Sequence, residues 1–421
     1  MSPVALEHAT VIDGRGRLLP DATVVVSGAV ITHAGPSGAT AFDRRATGTL
    51  DARGLWLMPG LINCHDHLFD KRLRDVPPGG SDRDFRLQLL QRPPGQHAVE
   101  SAHNATWQLR QGVTTVRDLG GPSIDADQSA PYTNVDLRDA IAGGSPGPRV
   151  LASRLMVTMT GGHGTPWFGV READGPDAVR AAVREQLKGG ADCIKIMSSG
   201  GLANYPHESP GIDQYTIEEL RAGAEEAHNA GRLITTHAMS DGSVRNALNA
   251  GIDNIDHGFF IKAETVKRMA AEGRSFVPTA RVAWRMARAG TGALGQLMAE
   301  AAPHHRDRIL EAHEVGVPVG VGTDSRFTML EEMETLREYG MASMDVLTGA
   351  TGVAAKICGL EGVGVIEPNA AADLLLLGQN PLDGLRAAFA DIRLVMKAGE
   401  TLVSSTDPDA PLRPLAPPPP V

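Results

Sequence analysis

The sequence is poor in cysteine, long apolar runs and basic charge, and each shortage excludes a class of protein. Three cysteines among 421 residues are too few for a disulfide framework, so we expect a cytoplasmic protein. No stretch approaches the roughly 18 consecutive apolar residues of a membrane helix, and no secretion signal precedes the first strand candidates. The net charge of -10 disfavours nucleic acid as a partner.

Eight short apolar strand candidates occupy the middle of the chain, and helical patterns lie between them. One helix is predicted from Thr216, which opens a capping box with Glu219, to the stop at Gly231; another covers residues 263–272. Repeated strand–helix units indicate a parallel sheet. A closed (β/α)₈ TIM barrel is the leading prediction, and an open doubly wound sheet is the alternative. The candidate strands are residues 56–64, 114–119, 150–157, 192–197, 233–238, 254–258, 275–279 and 317–323.

The residue pattern at both ends of the chain differs from that of the middle. Residues 22–26 and 29–32 are β-branched runs separated by Gly28, which predicts a hairpin, and similar runs return at 372–377 and 392–396. We therefore predict a small β-sandwich domain formed by both termini. The predicted domains are residues 1–55 and 361–408 for the two parts of this small β domain, 56–360 for a metal-binding barrel and 409–421 for a proline-rich tail.

Side chains of the types that bind metals lie at the carboxyl ends of the predicted barrel strands. Enzymes with a TIM-barrel fold have their catalytic groups at these strand ends. His65 and His67 are two residues apart at the end of the first strand, so both rings face the same side. His237 and His257 end the fifth and sixth strands, and Asp324 ends the eighth. One such histidine alone is as well explained as a core residue, but imidazole and carboxylate together suit a divalent cation.

The fourth strand contains Lys195 between apolar neighbours. A buried lysine is costly unless its charge is removed or paired, so a salt-bridged lysine is the simplest interpretation of this residue alone. Its place in the order of strand-end ligands favours a role at the metal site instead.

This order, HxH followed by Lys, His, His and Asp, resembles the amidohydrolase superfamily in its binuclear form. The resemblance includes residues 58–62, 112–118 and 369–374 and covers nearly the whole chain. It implies two divalent ions, with Zn²⁺ expected, and a carboxylated lysine at Lys195 that bridges them. It further implies that the more buried ion is held by His65, His67 and Asp324, and the other by His237 and His257.

The chemistry that the resemblance implies is hydrolysis of a carbon–nitrogen bond. A hydroxide shared by the two ions attacks the substrate carbonyl, with Asp324 as general base and then general acid. Carboxylation needs the neutral amine of Lys195, and an apolar strand lowers the pKa of a lysine. The expected partner is a small amide or peptide-like molecule, and a homo-oligomer is expected from the same resemblance.

The loop after the third predicted strand indicates which subgroup of the amidohydrolase superfamily the chain resembles. Residues 160–164 resemble the Thr-Gly-Gly-His-Gly loop of imidazolonepropionase-like and Xaa-Pro dipeptidase-like members, in which the histidine contacts substrate. His163 is therefore a predicted catalytic and substrate-binding residue, and a surface histidine in a glycine-rich turn is the alternative. Many dipeptidase-like members carry a tyrosine where this chain has Met239. Tyr215 is the predicted replacement, with Tyr205 as the other candidate.

These features predict a hydrolase of a dipeptide, an N-acyl amino acid or a related amide. A lactone or carbamate hydrolase could use the same ions, and the sequence leaves this open. A deaminase is less favoured because such enzymes typically carry a glutamate soon after the fifth-strand histidine, where Met239, Ser240 and Asp241 stand. A non-catalytic barrel scaffold would have no need of all six ligands.

Several other features are given structural interpretations. A helix over residues 303–314 is predicted to expose His304, His305 and His313 on a solvated face. A short helix is predicted at residues 84–91, and Trp167 and Phe168 are candidates for an apolar wall of the pocket.

Overall fold

The fold is that of a computed structural model, and the described residues fall into two compact units. One unit draws on Met1–Asn63, Thr106–Thr115 and Met329–Val421, and the other on Cys64–Ala105 and Val116–Thr328. The structure describes residues 3–38, 47–70, 92–121, 133–165, 169–202, 205–206, 208–289, 292–324 and 327–404.

Strands and helices alternate through most of the described chain. The strands are β1 (Val4–Ile12), β2 (Leu18–Ser27), β3 (Val30–Pro36), β4 (Gly48–Asp51), β5 (Trp56–Pro59), β6 (Leu61–Asp66), β7 (Val113–Asp118), β8 (Arg149–Ala152), β9 (Met156–Thr158), β10 (Val170–Glu172), β11 (Ile194–Met197), β12 (Ile234–Ser240), β13 (Asn254–Phe260), β14 (Ser275–Val277), β15 (Leu374–Leu377), β16 (Ile392–Lys397) and β17 (Glu400–Ser404). The helices are α1 (Pro94–Arg110), α2 (Asn134–Ala142), α3 (Pro176–Lys188), α4 (Ile217–Asn229), α5 (Asp241–Ala250), α6 (Ala263–Ala271), α7 (Ala280–Ala289), α8 (Gly292–Glu314), α9 (Met329–Tyr339), α10 (Ser343–Gly349), α11 (Gly352–Ile357) and α12 (Leu385–Ala390).

The first unit contains a sheet built from both ends of the chain. Its strand order is β17-β16-β15-β5-β1-β2-β3, and β4 pairs with β1. The predicted hairpin is confirmed as β2 and β3, with Gly28 at φ 57° in the left-handed region that a tight turn requires. Leu57, Leu374 and Leu376 are buried in the apolar core of this sheet, as expected for strands with one covered face.

The second unit contains a sheet of parallel strands in the order β10-β9-β11-β12-β13-β14. In its register Lys195 lies beside Thr235, and Ala238 beside His257. Because parallel strands end at the same edge, residues at the ends of β11, β12 and β13 are brought close together. The mixed α/β architecture predicted from the strand–helix alternation is confirmed.

The eighth predicted strand, residues 317–323, is present only as isolated bridges. Val319 pairs with Phe276 of β14, and Asp324 pairs with Asp66 of β6, both in parallel orientation. The Cys64 amide also donates to the Val321 carbonyl at 2.9 Å. This segment therefore extends between β14 and the end of β6 within the second unit.

The two predicted helices begin and end close to their expected residues. In α4 the Thr216 hydroxyl accepts from the Glu219 amide at 3.3 Å, and the Glu219 carboxylate accepts from the Thr216 amide at 2.8 Å. This reciprocal capping box satisfies two donors that the first helical turn leaves open. The helix predicted over residues 263–272 is α6.

The prediction of a solvated face in residues 303–314 is wrong for His305. Helix α8 continues through Pro303, and His305 has no exposed surface, whereas His304 and His313 are half-buried. The reason is the helical period, because residues three and four apart share a face. The buried stripe of α8 contains Met298, Ala301, His305, Ile309 and Ala312.

Some predictions fall outside the described residues. These are the helix at residues 84–91, the apolar wall of Trp167 and Phe168, and the tail at residues 409–421. Within the described part of the chain, no helix combines the length and apolarity needed to cross a membrane.

Candidate metal centre

Three predicted ligands meet where β6 ends. The ligand atoms of His65, His67 and Asp324 all lie within 4.8 Å of one another. Asp324 Oδ1 is 3.5 Å from His67 Nε2 and 3.8 Å from His65 Nε2. The amides of Thr323 and Asp324 both donate to the His65 carbonyl at 2.9 Å, and these bonds tie the two segments together.

The other two predicted histidine ligands adjoin this group. The ring centroid of His257 lies 4.9 Å from that of His65 and 4.6 Å from that of His237. All three rings are buried. Strands β6, β12 and β13, with His67 directly after β6, therefore bring four imidazoles into one buried cluster.

Lys195 adjoins the imidazole cluster through a partner that the sequence interpretation missed. Its ammonium contacts the carboxylate of Asp256, and both side chains are buried. That carboxylate also accepts from Thr235 Oγ1 at 2.9 Å and Asn254 Nδ2 at 2.7 Å, and it lies 3.3 Å from His65 Nδ1. The buried lysine is thus paired, as its desolvation demands.

Burial and the Lys195–Asp256 ion pair together set the charges of this network. Burial lowers the pKa of Lys195, and Asp256 opposes that change. Burial would raise the pKa of Asp256, but Lys195 and His65 hold it well below its usual range. The network therefore favours an ionised Asp256 and a lysine that releases its proton more readily than an exposed one.

Burial also determines the charge of the imidazoles. It lowers the pKa of His67 to about 3, although Asp324 acts in the opposite direction. It lowers the pKa of His237 and His257 well below the usual range of histidine. Metal ligation requires the neutral imidazole. The nitrogen and oxygen donors, their spacing and their charge state therefore fit divalent ions.

His257 is held by two further groups that the sequence interpretation missed. Its Nδ1 lies 2.8 Å from Thr279 Oγ1, so Nε2 is the ring nitrogen that could accept a metal ion. Its carbonyl accepts a hydrogen bond from His305 Nε2 at 2.8 Å. Thr279 ends the seventh predicted strand, and the period of α8 could have indicated that His305 is buried.

His163 packs directly against the imidazole cluster. Its ring stacks on His237 with centroids 4.0 Å apart and planes 25° apart. Its Nδ1 lies 2.5 Å from Glu208 Oε1, which also accepts from the Gly201 amide at 2.7 Å, and the His163 amide donates to Gln214 Oε1 at 3.0 Å. No sequence pattern singles out Glu208, because it lies in an irregular loop.

The predicted tyrosine replacement has an internal partner. The hydroxyl of Tyr215 donates to the Ala173 carbonyl at 2.8 Å, and burial raises the pKa of this phenol. A substrate contact would require the hydroxyl to leave that carbonyl. Met239, at the position where a tyrosine is expected, is buried and packs in a cluster with Leu202 and Phe259.

Comparison with known proteins shows the class to which this fold and this cluster belong. The sequence profile of the amidohydrolase family matches residues 56–402. The chain is therefore a member of the amidohydrolase family, and it is a hydrolytic enzyme acting on carbon–nitrogen bonds. The resemblance predicted from the order of ligands is confirmed.

Individual relatives are similar over most of their length. An ochratoxinase of Aspergillus niger is 27% identical over 410 residues, which cover 89% of this chain and 81% of that one. An imidazolonepropionase of Rhizorhabdus wittichii is 26% identical over 398 residues, with 85% and 88% covered. A solved Xaa-Pro dipeptidase with methionine in its active site superposes with a TM-score of 0.80 at 27% identity, covering 95% of this chain and 99% of that one.

Proposed function

We propose that this enzyme is a binuclear metal-dependent hydrolase of the amide bond in a dipeptide, an N-acyl amino acid or a similarly small molecule. The observation that carries the proposal is the convergence of four buried imidazoles and the partly exposed carboxylate of Asp324 in one cluster. The buried Lys195 is joined to this cluster through Asp256, which lies 3.3 Å from His65. The ochratoxinase and dipeptidase relatives favour an amide substrate.

The proposed architecture is a closed (β/α)₈ barrel over residues 56–360, with a small β-sandwich from residues 1–55 and 361–408. Support for closure comes from the segment that carries Asp324. The Gly320 amide donates to the Phe276 carbonyl at 2.9 Å, and the Cys64 amide donates to the Val321 carbonyl at the same distance. The first of these hydrogen bonds joins the eighth strand position of the predicted barrel to the seventh, and the second joins the eighth to the first.

The proposed cofactors are two divalent ions, with Zn²⁺ expected from its preference for imidazole and carboxylate. When bound, the ions polarise the substrate carbonyl and lower the pKa of a water molecule. The residues proposed to hold them are His65, His67 and Asp324 for one ion, His237 and His257 for the other, and Lys195 as a bridging carbamate. The lowered pKa of the buried Lys195 supports its carboxylation, which needs the neutral amine.

Asp324 is proposed to move the proton in catalysis. Its side chain is 24% exposed beside rings that are almost fully buried, so it can face both the ligand cluster and the incoming substrate. The carboxylate takes the proton from the attacking water and returns it to the leaving nitrogen. Expulsion of an amine needs this second transfer, because an unprotonated amide nitrogen is a poor leaving group.

His163 is proposed to bind and orient the substrate. Glu208 contacts Nδ1 of the ring, so Nε2 is left to meet a substrate oxygen. Stacking on His237 fixes the plane of the ring beside a proposed metal ligand. Substrate contact and metal ligation are thus carried by neighbouring side chains.

A substrate screen on metal-reconstituted protein tests the proposal. The protein is prepared with zinc and bicarbonate, and its metal content is measured by mass spectrometry. We expect about two ions per chain and turnover of at least one amide among dipeptides, including Xaa-Pro, and N-acyl amino acids. Hydrolysis of lactones, carbamates or esters without any amide would overturn the amidase assignment and support the alternative.

We also propose a cytoplasmic homo-oligomer without nucleic-acid or membrane partners. The three cysteines and the net charge of -10 support this environment. Light scattering on the purified protein measures the oligomeric state, and a monomer at micromolar concentration would contradict the expectation.

A further inference from the structure

His305 of α8 makes its polar contact with a proposed metal ligand. Its Nε2 donates to the His257 carbonyl at 2.8 Å across 48 residues of sequence. Its ring has no exposed surface and lies 4.6 Å from the Phe259 ring, centroid to centroid. Among the described residues, no hydrogen-bond partner reaches His305 Nδ1, so the interaction with His257 is the one polar anchor that the structure gives this ring.

The carbonyl that His305 contacts belongs to an unusual backbone. His257 has φ 72°, in the left-handed region that residues with a side chain rarely adopt, and Gly258 follows at φ 59°. A side chain at Gly258 would meet the Phe276 ring at 2.7 Å, so glycine is required there. Such a conformation persists only when surrounding groups hold it.

The two sides of His257 are held by different elements. Thr279, just after β14, contacts the ring at Nδ1 with a 2.8 Å separation, and His305 of α8 holds the carbonyl. The Thr279 contact selects the ring nitrogen that remains for metal, and the His305 contact restrains the backbone from which the ring projects. Both are partners of the kind that orient metal ligands from outside the coordination sphere.

We propose that His305 is a positioning residue for the second metal ion, because its hydrogen bond to the His257 carbonyl keeps the left-handed turn that presents the His257 imidazole. This inference rests on the proposed function, which takes His257 as a ligand. The inference links His305 to binding of one ion, the one that His237 and His257 are proposed to hold. The reason is that His305 contacts His257 and not the proposed ligands at the end of β6.

The matched control lies one residue away. His304 Nε2 also donates to a backbone carbonyl, that of Ile261, at 2.6 Å, but Ile261 is not a proposed ligand. His305→Phe keeps an aromatic ring beside Phe259 and removes the donor, and His305→Gln keeps an N–H donor. His304→Phe removes the same type of hydrogen bond from the same helix.

The experiment measures zinc affinity by chelator competition on each purified full-length variant, with metal content after dialysis as a second readout. For His305→Phe we expect one of the two ions to bind about 10–100-fold more weakly, the usual range for loss of an outer partner of a ligand. His305→Gln should stay within a few-fold of the parent protein, and His304→Phe should keep both affinities. If His305→Phe does not fold, His305→Asn takes its place, because the shorter amide does not reach the carbonyl.

Unchanged affinities in His305→Phe, or equal losses in His305→Gln, would overturn the inference. An equal loss in His304→Phe would also overturn it, by showing that general packing of α8 is responsible. Failure of the proposed function is distinguishable, since the parent protein would then bind fewer than two ions or His257→Ala would lose none.

Discussion

Adding a single methyl group at Gly201 should impair the proposed substrate contact of His163 without changing metal binding. A Cβ at this position would lie 2.1 Å from His163 Cε1 and 2.4 Å from Nδ1, whereas ordinary contact begins at 3.4 Å. The ring or the backbone must therefore shift by more than about 1 Å. Either shift disturbs the two contacts of the Glu208 carboxylate, one with the His163 ring and one with the Gly201 amide.

The expected cost follows from that displacement. A misplacement of about 1 Å in an active site can reduce the rate by about 10²-fold, which corresponds to roughly 2.7 kcal/mol of transition-state stabilisation. Gly201→Ala should therefore lower kcat/KM about 100-fold on the best amide found in the screen. Metal content should stay at the parent level, because His163 is not a proposed ligand.

Gly211→Ala is the matched control, since it lies in the same loop and, among the described residues, its added Cβ would come within 4 Å of Ser209 Oγ alone, at 3.7 Å. The assay is steady-state kinetics with metal analysis on the same preparations. If Gly201→Ala and Gly211→Ala have kcat/KM values within twofold of each other, His163 does not contact the substrate in the way proposed.

Three further changes test the other assignments. Lys195→Ala should lose most of its bound metal and activity, and added short carboxylic acids should restore part of both. The control Lys262→Ala, at an exposed position, should change neither metal content nor activity. Metal analysis and kinetics measure both quantities. Asp324→Asn should lower kcat about 10²–10⁴-fold, because the amide cannot carry the proton; kinetics at saturating substrate measure it. Tyr215→Phe should lower the free energy of unfolding by about 1 kcal/mol, because the hydrogen bond to Ala173 is lost, and leave kcat unchanged; denaturant titration and kinetics measure the two effects.

Each of these variants has a result that would contradict its assignment. Unchanged metal content in Lys195→Ala would refute the bridging carbamate. Full activity in Asp324→Asn would remove this residue from proton transfer. A fall in kcat of tenfold or more in Tyr215→Phe, at unchanged KM, would support the substrate contact that the sequence predicts.

What the sequence by itself determined was the family and the set of candidate ligand positions. The two-residue spacing of His65 and His67 places both rings on one side of a strand wherever that strand lies, because side chains alternate with period two. The apolar neighbours of Lys195 indicate a buried strand for a similarly local reason. Periods of this kind are properties of short segments, so they can be read without knowing how the segments pack.

Only the tertiary structure decided which groups support those ligands. Asp256 meets Lys195, Glu208 meets His163 and His305 meets His257 across 61, 45 and 48 residues of sequence. These contacts depend on strand register and on the packing of α8. The site also depends on the left-handed backbone at His257 and Asp324, a conformation that is uncommon for any residue with a side chain, although histidine and aspartate adopt it more often than most. The charge state and orientation of the site are therefore consequences of packing between distant segments.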